Sequence, residues 1–492
     1  MATVPVDDPR RDYGSKITAV EPGGAEPIPL TERHGKAHQQ AWIWTSPNME
    51  FATVFVGVLA VLVFGLSFWT AVAAIVLGNA VGAVFHGTLT SWGPLSGLGQ
   101  MALGRKAFGF RGNLLPAGLN AFLGGLGWLA VNSISGALAF STLTGLSPYL
   151  CLVLAMVITL GIAFFGHNVV QLFERVTFPV LTVIFAAGIV VVLTQTRPDV
   201  VGDPVPGAFW IIASSAFGLT GGWCTCGADY ARYLRPDQHA RAGFFAALGN
   251  FTSASLLQIG GAAAVTAVGI SAWDDVDPVA SYVSLMPGWL GEVTLLGVFI
   301  GALSANSLNL YSSSLSLAAM GIKLPTAFGR AIIALVMGLL ALTLGMLLVE
   351  DVNQFSDFLL IVSYWTAPWI GVVLADRLLS PRPADDLTPY TDRRHRNWAG
   401  PVAMVVAAVV SVALFSNQAL YVGPVPSAFP RIGDLTLAVG LVLAFLLYAV
   451  LRPRGGRARS VVTGLPRQRD VASAERGTAA PEVTPAASHR PE

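Results

Sequence analysis

Charged side chains are scarce in this sequence. Asp, Glu, Lys and Arg make up 12% of its 492 residues, and 54% of the residues are hydrophobic. Soluble domains usually carry about 25% charged residues. With a mean hydropathy of +0.63, the chain cannot cover its surface with water-facing side chains. This excludes an ordinary soluble protein and predicts an integral membrane protein embedded in a lipid bilayer. The net charge of +1 gives no indication of nucleic-acid binding.

Cysteine is also rare, and the residues needed for enzyme chemistry are missing. The three cysteines, Cys151, Cys224 and Cys226, fall in apolar runs without partners at metal-binding spacing. The seven histidines form no nucleophile–base constellation, and the glycine-rich stretch 93–113 lacks the Lys-Ser/Thr of a phosphate-binding loop. We therefore expect no enzyme, no metal site and no cofactor apart from a coupling ion.

Long apolar runs fill most of the chain. A bilayer span needs about 20 apolar residues, and charges, Gly and Pro divide the runs into about twelve predicted spans. Their approximate limits are 42–66, 68–90, 113–140, 147–166, 172–195, 208–228, 243–270, 290–318, 327–349, 355–379, 398–416 and 432–452. Residues 1–40 and 453–492 are polar and are expected to be disordered tails that flank a transporter domain over 41–452.

The loops between the spans differ in charge. If the N-terminus is cytoplasmic, Lys and Arg collect in the cytoplasmic loops, and the outer loops hold only Arg197 and Arg431. This asymmetry predicts a multi-pass protein of the cytoplasmic membrane, with an even number of spans and both termini cytoplasmic.

Two predicted spans contain helix-breaking residues. WTSPNME (44–50) interrupts the first span, and GLTGGWCTCG (218–227) interrupts the sixth. Broken spans at matching places in two halves are typical of a secondary transporter's binding site. Asn48 and Trp223 are 175 residues apart, and Asn132 and Asn306, in the third and eighth spans, are 174 apart. The common offset suggests an inverted repeat of five spans plus five.

An indole and an amide are spaced one helical turn apart in GGLGWLAVNSISG (124–136). Trp128 and Asn132 are four residues apart and should share a helix face. A ring for stacking and an amide that donates and accepts suit a small planar polar molecule. Trp223, with Gly around it, would offer a second ring. The alternatives are a helix–helix contact for the first pair and an interfacial aromatic residue for Trp223.

Other polar residues in apolar runs are candidates for substrate or ion contacts. Polar and ionisable groups inside spans are costly and are often functional, although bonds between helices are the alternative. The candidates in the eighth span are Ser304, Ser307, Asn306 and Asn309. Glu50 follows the first break and would carry a proton if it is buried. Asp229 and Arg232 close the sixth span and are expected to form a gate or a packing ion pair.

These motifs, taken in order, resemble the nucleobase–cation symporter family and in particular its purine–cytosine permease group. The resemblance covers about residues 30–450 and rests on W-x-S-P-N at 44–48, the stretch GLGQMALGRKAFGF (97–110) and G-W-x-x-V-N at 127–132. It continues with G-G-W at 221–223, A-D-Y-x-R-Y-x-x-P at 228–236, N-x-x-N-x-Y-S at 306–312 and Y-W at 364–365. It implies an all-α membrane protein of about twelve helices with the leucine-transporter-type 5+5 inverted repeat and broken helices 1 and 6.

The resemblance also implies alternating access and import of a nucleobase or related heterocycle with H⁺ or Na⁺. The residues that match the family's substrate site are Trp128, Asn132, Trp223, Asn306 or Asn309, and Ser46 or Asn48. Sodium-coupled members have two adjacent hydroxyl residues in the eighth span, whereas this chain reads Ser304-Ala305-Asn306. One hydroxyl is missing, and together with Glu50 this favours proton coupling.

The sequence therefore predicts a proton-coupled importer of a purine, cytosine, allantoin or hydantoin, without naming which. A sodium-coupled amino-acid symporter of the same fold is one alternative. A channel or a membrane sensor of external ligands is the alternative from another class. A monomer is compatible with the sequence.

Overall fold

The computed structural model describes residues 13–17, 19–21, 24–274, 277–322, 332, 335–343, 354–380 and 386–453, without the side chains of 354–356. The described residues form helices joined by turns and loops, and no strand is formed among them. In chain order the helices are α1 Gln39–Ile43, α2 Phe51–Leu62, α3 Phe68–Thr90, α4 Trp92–Ser96, α5 Gln100–Gly112, α6 Leu114–Leu119, α7 Trp128–Thr144, α8 Pro148–Phe165, α9 His167–Thr194, α10 Ala208–Gly222, α11 Gly227–Ala231, α12 His239–Val268, α13 Pro278–Val283, α14 Gly288–Ala319, α15 Gln354–Leu379, α16 Thr388–Thr391, α17 Ala399–Phe415, α18 Pro424–Ala428 and α19 Thr436–Leu451.

These helices match the predicted spans. Among the described residues, seven stretches are long and apolar enough to cross a membrane, and the bent pair Gln39–Asn48 and Phe51–Leu62 makes an eighth. The sixth span is divided between α10 and α11, and α17 and α19 are shorter apolar helices. Most of the predicted ninth span, 327–349, lies outside the described residues, although 335–343 are helical. The fifth span begins at His167, five residues before its predicted start.

Helices from both halves of the chain pack together around the two breaks. The helix α3 lies against α10 and α12, α2 lies against α12, and α7 lies against α14. A Cβ on Gly57 would lie 1.7 Å from the Gln258 carbonyl oxygen, and one on Gly261 would lie 2.0 Å from that of Val54. The two glycines therefore let the backbones of α2 and α12 touch, which is a common way for membrane helices to gain close contact.

The N-terminal segment corrects one prediction. The described residues of 13–38 were expected to be disordered, but they pack across one end of the helices. Tyr13 and Glu21 are buried, the Ile28 N–H donates to the Gly97 carbonyl at 2.9 Å, and the His34 N–H donates to that of Tyr233 at 2.7 Å. Composition did not reveal this order because a few long-range contacts, rather than an apolar run, hold the segment. The predicted C-terminal tail lies outside the described residues from 454 onward.

Candidate functional site

The first span breaks between Ile43 and Phe51. A short 3-10 turn, Ser46–Asn48, follows α1, and the span is bent by 59° at the break. Pro47 lies inside this turn, where its missing N–H prevents a continuous helix. Glu50 then caps the second half, because its carboxylate accepts the N–H groups of Ala52 at 2.7 Å and Thr53 at 2.9 Å. The break therefore places a carboxylate at a helix N-terminus deep in the protein.

The sixth span breaks where the sequence predicted. After α10, a 3-10 turn over Trp223–Thr225 leads into α11. The Trp223 indole N–H donates to Asn48 Oδ1 at 3.0 Å, so the two breaks touch through their side chains. The Asn48 amide nitrogen donates in turn to Asn250 Oδ1 and Ser253 Oγ, both at 3.0 Å. Asn48 thus ties both breaks to α12.

The third span is irregular just before Trp128. Residues Asn120–Gly127 form a π-helix, a wider turn that is frequent at functional sites. A Cβ on Gly125 would lie 1.7 Å from Ser313 Oγ, so only glycine lets α14 approach this closely. The Trp128 ring packs edge-on against Phe358, with ring centroids 5.1 Å apart. Trp128 thus directly follows the π-helix, and its ring is in contact with Phe358.

A narrow cavity lies between the two breaks, the third span and the eighth. Six of the residues singled out from the sequence line it: Asn48, Glu50, Trp128, Asn132, Trp223 and Asn309. The lining also contains polar residues that the sequence analysis did not select as site candidates: Thr53, Asn120, Thr225, Ser312, Trp365 and Thr366.

Two polar groups in this lining have no hydrogen-bond partner among the described residues. They are the Asn309 amide nitrogen and the Trp365 indole nitrogen, and both are buried. An unpaired buried donor costs about 1–3 kcal/mol, so such groups call for an explanation. Two donors at the wall of one cavity are what a ligand with acceptor atoms would satisfy.

The comparisons with known proteins agree with this architecture. Residues 27–440 match the family described as permease for cytosine/purines, uracil, thiamine, allantoin. The chain belongs to this permease family. It is 27% identical over 453 residues to the putative purine-cytosine permease YxlA of Bacillus subtilis, covering 88% of this chain and 96% of that protein. It is 26% identical over 467 residues to the purine-cytosine permease FCY2 of Saccharomyces cerevisiae, covering 88% of this chain and 86% of the relative.

The fold of this family member is also found among solved structures. Mhp1, a nucleobase-cation-symport-1 family transporter in a closed conformation with bromovinylhydantoin bound, superposes with a TM-score of 0.70 at 20% identity, covering 88% of this chain and 95% of Mhp1. The inward-facing conformation of Mhp1 superposes with a TM-score of 0.66 at 19% identity, covering 90% of this chain and 97% of that chain. The predicted leucine-transporter-type fold with broken helices 1 and 6 is confirmed.

Several predicted residues of the permease lie outside the cavity lining. The Asn306 amide donates to Ser133 Oγ at 2.8 Å, which joins α14 to α7. Ser46 and Ser307 donate to backbone carbonyls of their own segments, at Trp42 and Leu303. Ser304 donates to the Glu174 carboxylate at 2.7 Å. Of the two eighth-span amides, Asn309 is the one that lines the cavity.

The predicted ion pair between Asp229 and Arg232 is replaced by longer-range contacts. Arg232 pairs with Glu21 of the N-terminal segment at 2.5 Å. Asp229 instead accepts the Gln100 N–H at 2.7 Å and the Ser312 hydroxyl at 2.8 Å. Both side chains are buried, so the end of the sixth span is held by partners from elsewhere in the chain.

Glu174 and Glu21 are among the buried carboxylates that were not predicted from the sequence. Glu174 lies within a predicted span, and a carboxylate in an apolar run was the signal that could have revealed it. Glu21 lies in a polar segment without any local pattern. Its Oε1 accepts from Arg232, from Tyr233 at 2.6 Å and from Tyr311 at 3.1 Å.

Proposed function

We propose that this permease imports a nucleobase or related heterocycle, of the cytosine, purine, allantoin or hydantoin type, by symport with a proton. The observation that carries the proposal is the cavity between the two breaks, which combines two indole rings with unpaired amide and indole donors. Flat heterocycles present two faces for stacking and an edge of acceptors and donors. An aliphatic amino acid would use neither ring.

In the proposed mechanism the ring stacks against Trp128 and Trp223 while its edge bonds to Asn132 and Asn309. Stacking on each face contributes roughly 1 kcal/mol beyond area burial. The edge contacts set specificity, because a ring that leaves a buried amide unpaired binds more weakly. Asn48 contributes indirectly, since it orients the Trp223 indole.

Import requires the ring to shift the balance between outward-open and inward-open states. A ligand does this through its different affinity for the two states. Glu50 is placed to link binding of the ring to the change between these two states. It lines the cavity and also caps the helix that follows the first break. In the proposed orientation both termini are cytoplasmic, so the N-terminal segment covers the cytoplasmic end.

The test is uptake of labelled cytosine, adenine, hypoxanthine, allantoin and leucine into cells that lack their own permeases. Each substrate is measured with and without a protonophore, and with sodium replaced by choline. Saturable uptake of one ring that collapses with the protonophore and is lost in Trp128→Ala is the expected result. Uptake of no ring, or sodium-dependent uptake of leucine alone, would overturn the substrate assignment.

A further inference from the structure

Glu174 is a carboxylate buried behind the first break, outside the cavity lining. It lies on α9 and is 0% exposed. Its Oε2 accepts a hydrogen bond from Ser304 of α14 at 2.7 Å. Its Oε1 is buried and has no hydrogen-bond partner among the described residues. The Oε2 atom is thus bonded to the eighth span, and Oε1 is left without a hydrogen bond from the described residues.

The first break is adjacent to the same carboxylate. The hydroxyl of Ser46, in the 3-10 turn of the break, lies 3.5 Å from the Glu174 backbone carbonyl oxygen. Elements α9, α14 and the broken first span therefore meet at Glu174. A change in the charge of this side chain acts directly on the contact between the first and eighth spans.

Within the described residues, no Lys, Arg or His forms an ion pair with Glu174. The elements packed against α9 are α1 with the 3-10 turn, α8, α12 and α14. The titratable groups on these helices are Tyr149 and Cys151 of α8, His239 and Arg241 at the start of α12, and Glu292 and Tyr311 of α14. On α9 itself, His167 lies seven residues before Glu174, and the neighbouring Arg175 is exposed. Tyr230 of α11 is a further titratable group near Glu174. Its hydroxyl donates to the Leu308 carbonyl at 2.6 Å.

Glu50 provides an informative contrast. Its carboxylate accepts from two backbone N–H groups and from the hydroxyls of Thr53 at 3.2 Å and Ser135 at 3.1 Å. Four donors and a helix N-terminus stabilise an anion. The Glu174 carboxylate accepts from the Ser304 hydroxyl, has the Ser46 hydroxyl nearby, and lies away from any helix N-terminus. With so few donors, an ionised form would be strongly disfavoured in a membrane span. A proton on Oε1 neutralises the carboxylate and so removes the free-energy cost of burying its charge.

We propose that Glu174 is the binding site of the coupling proton and that Glu50 remains a fixed anion beside the substrate. This inference rests on the proposed proton symport. The proton binds to the Glu174 carboxylate from one side of the membrane and leaves to the other side, and no other bond is made or broken. Protonated Glu174 keeps the Ser304 contact in a dry site. Deprotonated Glu174 draws water between α9, α14 and the break, which favours their separation.

The experiment compares Glu174→Gln with the full-length wild-type permease reconstituted in vesicles. Glutamine mimics the protonated, neutral side chain. We expect exchange of labelled for unlabelled base across the membrane to persist, while accumulation driven by an imposed pH gradient is lost. Glu292→Gln is the matched control, because Glu292 lies on α14 but is exposed. It should accumulate base as the wild type does.

Persistent pH-driven accumulation by Glu174→Gln would overturn the inference. If that variant does not exchange, Ser304→Ala provides the second measurement. Without the hydroxyl donor, the pH midpoint of uptake should move upward, and an unchanged midpoint would overturn the assignment. A wild type that takes up base only with sodium would refute the proton site while leaving the nucleobase assignment intact. A wild type that takes up no base would refute the proposed function itself.

Discussion

The side chains of Asn48 and Trp223 meet between the two helix breaks, with the Trp223 indole nitrogen 3.0 Å from Asn48 Oδ1. These residues occupy the breaks of the first and sixth spans and are 175 residues apart. The two halves of the chain are therefore joined at the point where each helix is interrupted. Any motion of one break relative to the other must stretch or break this bond.

The first prediction concerns that bond. In Trp223→Phe the aromatic face remains, but Asn48 Oδ1 loses its indole donor. We expect the KM for the transported base to rise about fivefold, because a typical hydrogen bond contributes about 1 kcal/mol. Labelled-base uptake measures the effect. Trp42→Phe is the control, since the Trp42 indole nitrogen has no hydrogen-bond partner among the described residues. An equal rise in both variants would contradict the role of the Asn48 contact.

The second prediction separates the two amides of the eighth span. Asn309 lines the cavity with an unpaired amide nitrogen, whereas Asn306 bonds to Ser133. Asn309→Ala should raise the KM roughly tenfold or more and leave thermal stability unchanged or slightly higher, because it removes an unsatisfied donor. Asn306→Ala should lower the melting temperature of the purified protein and change the KM little. The reverse pattern would show that Asn306 is the substrate contact.

This pair of amides also shows what the sequence could and could not predict. The breaks were evident from Pro47 and from the glycines around Trp223, because these residues disrupt helices wherever they occur. Helical spacing predicts that Trp128 and Asn132 share one face of the third span, and both residues line the cavity. Asn306 and Asn309 are only three residues apart, and their choice of partner depends on the position of α7, which a single sequence does not give.

Long-range polar contacts were the other unpredictable part. Glu21 and Arg232 are 211 residues apart, and no local sequence pattern predicts their pairing. The same holds for Glu174 and Ser304, 130 residues apart. Local rules locate helices and breaks, but the partner of a buried charge is set by tertiary packing.

The third prediction concerns the π-helix before Trp128. Gly125→Ala places a Cβ 1.7 Å from Ser313 Oγ and 2.9 Å from Ser313 Cβ, so the π-helix and Ser313 must shift relative to each other. Overpacking of this kind costs about 1–3 kcal/mol, and the displaced Trp128 ring should reduce base uptake. Adding Ser313→Gly removes the clashing side chain and should restore part of the uptake. Gly161→Ala is the control, because nothing lies within 4 Å of its Cβ. Unimpaired uptake by Gly125→Ala would show that the close approach is not required.

The fourth prediction tests the ion pair between Glu21 and Arg232, whose side chains are 0% and 1% exposed. Glu21→Gln leaves the buried Arg232 guanidinium without its counter-charge. Removing one partner of a buried pair costs about 3–5 kcal/mol, so the melting temperature should fall clearly. Asp237→Asn breaks the exposed pair with Arg235 and should have almost no effect.

The same variant should loosen the end of the helices that the N-terminal segment covers. Cys226 lines the cavity and is buried. In a protein whose other cysteines are replaced by serine, Glu21→Gln should make Cys226 react faster with a water-soluble maleimide, because the segment no longer holds Arg232, Tyr233 and Tyr311 together through one carboxylate. Unchanged labelling together with a lowered melting temperature would mean that the ion pair stabilises the fold without closing the route to the cavity.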